Sequence, residues 1–323
     1  MKTNRFLLLI PLGLLVVVGG FLLSVAGPTG SEAAADNAVV NENATPYVPD
    51  NRFNEYWYAG KAELNSYELQ QARYGEVHSG EAVLIFVTEN FSLRELTKGD
   101  GLGGTQIPIL KVNFDKKFIT GIYPYSMIMT VATPVDMNRY PRALKVATSS
   151  QEWCGHTYTQ LNLRGNKYEF AEHSYFPGEG DQEMDLPAIT TEDELWTRIR
   201  IAPDQLPTGE IELLPATFYA RLKHRAVQPK KAVAKLGEAS DGTGNSVYTI
   251  DYADGSRSLK IYFEPEFPYT IEGWEETYSS GWGAGAQKLT TRASRKKTMK
   301  LDYWNRNSNS DRALRKELGL EGY

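Results

Sequence analysis

The side chains able to do chemistry concentrate in one stretch, residues 148–181. It holds Cys154, the single cysteine, with Glu152 just before it and two of the four histidines, His156 and His173. A thiol beside an imidazole can work as nucleophile and base. One sulfur and two imidazoles, with a fourth ligand or water, also suit zinc. The plainer reading makes Cys154 a small hydrophobe and the histidines hydrogen-bonded structural groups. Trp153, Tyr158 and Trp274 are candidates to line a ligand groove. Glu272 and Glu276 share a strand face with Trp274, as in a sugar-binding strand, whereas the neighbours Glu275 and Glu276 point to opposite faces. The glycine-rich run at 99–106 lacks the lysine and the strand-to-helix context of a phosphate loop. No catalytic set is convincing, and neither a metal nor a cofactor is expected.

These residues need an element to position them, and the pattern supplies a β-hairpin. His156, Tyr158, Gln160 and Asn162 alternate with Thr157, Thr159, Leu161 and Leu163, the period of a strand. Gly165-Asn166 tolerates the positive φ of a tight turn, and Tyr168, Phe170 and Glu172 alternate on the way back. That turn sets His173 opposite Tyr158 and His156 opposite Tyr175. On one extended strand Cys154 and His156 would share a face, and His173 would lie one pair away.

The rest of the chain reads as short strands. Strands are expected at 56–64, 66–74, 81–88, 107–114, 118–130, 144–149, 218–224, 227–236, 247–252, 258–263, 268–278 and 289–304, with a turn at Asp115-Lys116-Lys117. Asp254-Gly255 is the strongest hairpin turn. Thr190-Thr191 followed by three acids predicts a helix start before Leu195-Trp196, ending at Pro203, and a closing helix over 311–318 can be capped by Asp311. Strands do not alternate with helices, which excludes a doubly wound parallel sheet. The expected fold is all-β: a curved antiparallel sheet or half-open barrel with one or two short helices. Residues 1–35 carry Lys2 and Arg5, an apolar run at 6–26 and small residues at two cleavage positions, the pattern of a secretory signal or an N-terminal membrane anchor. Residues 36–53 read as a flexible linker and 54–323 as one β-rich domain, with 54–189 and 205–304 as two sheets in the alternative.

Five strings carry a resemblance: YWYAGKAEL from Tyr56 to Leu64, GEAVLIFVTE from Gly80 to Glu89, GIYPYS from Gly121 to Ser126, QEWCGH from Gln151 to His156 and TIEGWEE from Thr270 to Glu276. Through them most of the body resembles an uncharacterised family of exported bacterial proteins that circulates under the label "septum formation inhibitor Maf". The resemblance implies no activity and no site residues. The cytoplasmic nucleotide pyrophosphatases that share the label carry a Ser-Xaa-Arg-Arg type motif after their first strand. Here an export signal takes that place, and the nearest string, Ala293-Ser294-Arg295-Lys296, lies near the C-terminus. A weaker likeness, of pattern alone, is to the half-open barrels of periplasmic lipoprotein carriers.

Charge separates along the chain although the net value is only -5, and that value argues against nucleic acid as a partner. Residues 165–195 hold nine acids against one lysine, and 288–316 hold ten lysines and arginines. The cluster Arg295, Lys296 and Lys297 is expected to meet an anionic membrane surface. The expected function is that of an exported protein of the periplasm or cell envelope, held at the inner membrane if residues 6–26 remain as an anchor. It would bind an apolar or amphipathic ligand, such as a lipid or lipoprotein, or a partner protein. The alternative is a Cys/His-based hydrolase or metal-dependent enzyme in the 148–181 hairpin.

Overall fold

The computed structural model describes residues 47–101 and 103–320. The signal or anchor at 1–35 and the linker up to residue 46 lie outside the described residues. Among the described residues sixteen strands form one sheet. In chain order they are β1 (Ala62–Arg73), β2 (Glu76–Ser92), β3 (Thr97–Lys98), β4 (Gln106–Thr120), β5 (Tyr123–Pro134), β6 (Lys145–Glu152), β7 (Gly155–Arg164) and β8 (Lys167–Ser174). There follow β9 (Gln182–Pro187), β10 (Thr190–Thr191), β11 (Gly209–Leu214), β12 (Lys230–Glu238), β13 (Ser246–Tyr252), β14 (Arg257–Phe263), β15 (Ile271–Ser280) and β16 (Gln287–Leu301). Four short α-helices among the described residues accompany them: α1 (Asn51–Trp57), α2 (Leu195–Ile201), α3 (Thr217–Lys223) and α4 (Ala313–Glu317). Neighbouring strands are antiparallel except β10 and β11, which are parallel. The two stretches 54–189 and 205–304 belong to one sheet, because β1 pairs with β16.

The sheet has to roll up. Its order runs from β10 at one edge to β9 at the other. Laid flat, fifteen strands at ~4.8 Å spacing would put those edges roughly 65 Å apart. Only Ala188 and Ile189 join β9 to β10, a link that reaches about 10 Å. The edges therefore approach each other, yet β9 and β10 do not pair, so the ring stays open.

Inside the curve lies one apolar cluster, made by the inward faces of most of the strands and by α2 and α3. Trp274 sits at its centre, with ring centroids 4.9 Å from Tyr67, 5.1 Å from Phe114 and 5.3 Å from Trp196. Every residue of α2 is buried, so its burial rather than an amphipathic pattern holds it in place. Thr191 caps the turn that leads into it, accepting the Glu194 amide at 3.1 Å. Two β-branched isoleucines, Ile199 and Ile201, are tolerated in so short a helix because packing outweighs propensity.

Several expected boundaries moved, each for a visible reason. Residues 56–57 are helical because Asp50 caps α1, accepting the Phe53 amide at 2.8 Å. Glu63 and Asn65 do not break β1; they point inward, where Glu63 pairs with Arg200 at 2.6 Å. Asp115-Lys116-Lys117 is not a turn, since β4 runs through it with Lys116 buried and its neighbours outward. The turn lies at Gly121, with φ +57°. The expected strand at 218–224 is instead helix α3, Thr217–Lys223, with His224 as its left-handed C-cap. Asp193 accepts the Thr217 amide at 3.0 Å, giving α3 the cap that its own sequence lacks.

Candidate functional site

Glu152 pairs with Gly155 across β6 and β7, so Trp153 and Cys154 form the two-residue turn between them. Cys154 is exposed there, and its amide donates to Glu152 Oε2 at 2.8 Å. The hydrogen bond to Glu152 and its negative charge hold the thiol above the ordinary range. A reactive thiolate needs positive neighbours, the opposite environment. His156 is exposed on the outward face, opposite Gln151. The β7–β8 register pairs Tyr158 with His173, the spacing that the Gly165-Asn166 turn sets. His173 is exposed, with Nδ1 3.2 Å from Asp181. Among the described residues no group of three or more His, Cys, Asp or Glu side chains is placed to hold a metal. Tyr158 is a surface residue that accepts from Gln160 at 2.7 Å. Trp153 is exposed beside Tyr123, and Trp274 is sealed in the core.

Of these residues, Glu152 leads into a buried polar cluster. Its side chain lies 3.5 Å from Arg221, which α3 carries into the mouth of the sheet. Arg221 also lies 3.7 Å from Glu179 and 4.0 Å from the Phe176 ring centroid. Its Nε is buried without a partner. Burial, then Glu179, pushes the Glu172 carboxyl up to about 7. Burial and the Arg221 charge hold the His224 imidazole below its usual range. Across the mouth, Arg73 is buried with only neutral partners: the Tyr125 hydroxyl at 3.2 Å, the Tyr74 hydroxyl at 3.3 Å and the Leu222 carbonyl. Tyr74-Gly75 closes the β1–β2 hairpin with positive φ at both positions, the two-residue turn that matches strand twist. Of the two buried guanidiniums, Arg221 is flanked by carboxylates, whereas Arg73 has none in ion-pair range among the described residues.

A second candidate lies on the outer face. There Leu64, Val83 and Ile85 point away from the core, by the alternation of β1 and β2, and Met299 and Leu301 of β16 join them. The C-terminal segment covers them with Leu314 and Leu318, held by the Ser66 hydroxyl donating to the Leu318 carbonyl at 2.5 Å. Between segment and sheet remains a groove of about 360 Å³ with Glu81, Asp115, Lys117, Arg306 and Arg315 around it. The basic stretch of β16 is largely neutralised: Arg295 lies 2.5 Å from Glu272 and 3.8 Å from Glu264, and Lys296 lies 3.7 Å from Glu81, while Lys297 is exposed.

Sequence reasoning found the hairpin but missed Arg73 and Arg221. Arg221 reaches Glu152 from a helix far along the chain and Arg73 lies across the mouth on β1, and no local spacing marks either of them. No protein-family model, curated protein or solved structure matches this chain.

Proposed function

We propose that the chain is an exported envelope protein that binds a single-chain amphipathic ligand, without catalysis, in the groove on its outer face. The observation that carries this reading is the groove itself. It is lined by Leu64, Val83, Ile85, Met299, Leu314 and Leu318, its volume of about 360 Å³ falls in the range of small-molecule sites, and charges of both signs surround it. The inside of the curved sheet is filled by α2, α3 and their packing partners, so a lipid-carrier role through the interior has no room. An apolar chain would lie between the sheet and Leu314 and Leu318, with its polar head among Arg306, Arg315 and Asp115.

Saturable binding of a dansyl-labelled fatty acid, and its displacement by unlabelled single-chain amphiphiles, is the direct test. Ile85→Trp fills the groove from the sheet side and should weaken binding at least tenfold, roughly the effect of losing one well-buried apolar contact. Leu318→Glu should do the same from the other wall. Absence of saturable binding, or binding that both substitutions leave intact, would sink the proposal.

A further inference from the structure

The mouth of the sheet bears an arc of aromatic side chains that the core does not use. In an antiparallel sheet alternate turns fall at the same end, and five neighbouring ones among them are the turns β15–β16, β1–β2, β4–β5, β6–β7 and β8–β9. Each presents a large apolar side chain to solvent: Trp282 (53% exposed), Tyr74, Ile122 (82%), Trp153 (69%) and Tyr175 (79%). The arc is continuous along much of its length. The Trp153 and Tyr123 rings lie 6.2 Å apart, the Tyr123 hydroxyl donates to that of Tyr74 at 3.0 Å, and the Tyr74 and Trp282 rings lie 5.4 Å apart. Isolated exposed hydrophobes are ordinary, but one on each of five neighbouring turns is a patch.

Beside Trp282 opens a pocket of about 530 Å³ lined by Lys223, Arg225 and Lys230, with Asp254 as its one acid. Asp254 is already engaged by Lys230 at 3.1 Å. Lys223 donates to the Ser279 carbonyl, and neither it nor Arg225 has a carboxylate in ion-pair range among the described residues. Burial, then the charges of Arg225 and Arg73, depress the Lys223 ammonium, which fits a local excess of positive charge.

We propose that this rim docks on an anionic lipid bilayer, with the turn residues at headgroup depth and a lipid phosphate held by Lys223 and Arg225. Trp and Tyr settle at the membrane–water interface, because an apolar ring and a polar tip are both satisfied there. The tips stand on separate turns along a curved edge, which suits a fluid surface better than a flat partner. The unpaired cations add attraction to anionic headgroups. Nothing in this docking depends on the outer groove, so either reading can fail while the other stands.

Cys154, the one cysteine, sits in the rim turn itself and can carry the reporter. The full chain, labelled there with nitrobenzoxadiazole, is mixed with vesicles of phosphatidylcholine alone or containing phosphatidylglycerol and nitroxide-labelled lipid. A label at the rim reports contact by the rim itself, whatever the N-terminal segment does. Nitroxide quenching is expected on the anionic vesicles. Trp153→Ser with Trp282→Ser should weaken that partitioning roughly tenfold or more, and Ile122→Asn should act in the same direction. Lys223→Gln with Arg225→Gln should lower the preference for anionic over neutral vesicles by roughly tenfold. The proposal is overturned by a label that stays in water on both vesicles, by quenching unchanged in the variants, or by equal binding to neutral and anionic lipid. A concentration-dependent spectral shift without lipid would overturn it too, in favour of a second copy of this chain.

Discussion

Lys116 is where burial and charge conflict most openly. Its ammonium points inward from β4, 5.5 Å from the Phe114 ring centroid and 5.1 Å from that of Phe218, with no hydrogen-bonding or ion-pairing partner among the described residues. It faces a cavity of about 20 Å³, room for one water, shared with Asp193, Arg257 and Glu276. Desolvation pulls the lysine down to about 8. The folded protein thus gives up this proton before the unfolded chain does. Between about pH 8 and the ordinary lysine value near 10.4, stability rises with pH; below pH 8 the full burial cost stands. Lys116→Met should therefore stabilise by about 1–3 kcal/mol at pH 7, and its advantage over wild type should shrink towards pH 10 in urea titrations. A gap that is constant with pH would contradict this. Asp193 behaves in the opposite sense. Burial pushes its carboxyl up to about 7, so the folded state keeps the proton longer and stability falls as pH rises from about 4 to 7. Asp193→Asn keeps an acceptor for the Thr217 amide and should flatten that slope.

Among the elements, α2 and α3 decide the architecture, and they differ in how they could be read. Thr191 and three acids announce α2, because a cap and its dipole charges are local signals. By contrast, α3 has no cap of its own, and seven residues fit a strand period as well as a helical one. Its amide partner, Asp193, is supplied by another element. The same contrast runs through the candidate site. Tyr158 opposite His173 follows from a two-residue turn, whereas Arg221 meeting Glu152 depends on where α3 docks. The α2 helix is also tied to the sheet by charge. Arg200 bonds both oxygens of Glu63 at 2.6 and 2.8 Å, and against the pull of burial it keeps that carboxyl below its usual range. Arg200→Met leaves Glu63 buried without its counter-charge, held only by the Tyr56 hydroxyl and the Asn65 amide, and should cost about 3–5 kcal/mol in chemical denaturation. Adding Glu63→Leu should recover most of the loss. If the double variant is as unstable as the single one, the packing of the guanidinium rather than its charge is what matters.

At the scale of the whole molecule, strands fell out of the sequence well, but their order did not. Period and turn chemistry mark β13 and β14 around Asp254-Gly255, yet nothing local says that Ala62 lies opposite Leu301. That pairing makes two apparent halves into one sheet. Backbone hydrogen bonds run unbroken from β10 to β9. Near-ultraviolet and far-ultraviolet circular dichroism should accordingly report one coincident thermal transition over the described fold. Two separated transitions would mean that the halves fold independently in spite of the β1–β16 seam.

The seam also bears on the order in which the protein can be made. A chain emerging from its N-terminus delivers β1 early and β16 only after more than two hundred further residues. The β1–β2 hairpin can form at once, but the other edge of β1 stays open until synthesis is nearly complete. An open edge is a template for the wrong strand. The newborn chain therefore carries a prolonged need for shielding that the finished fold no longer shows, and its final closure is a long-range, slow step.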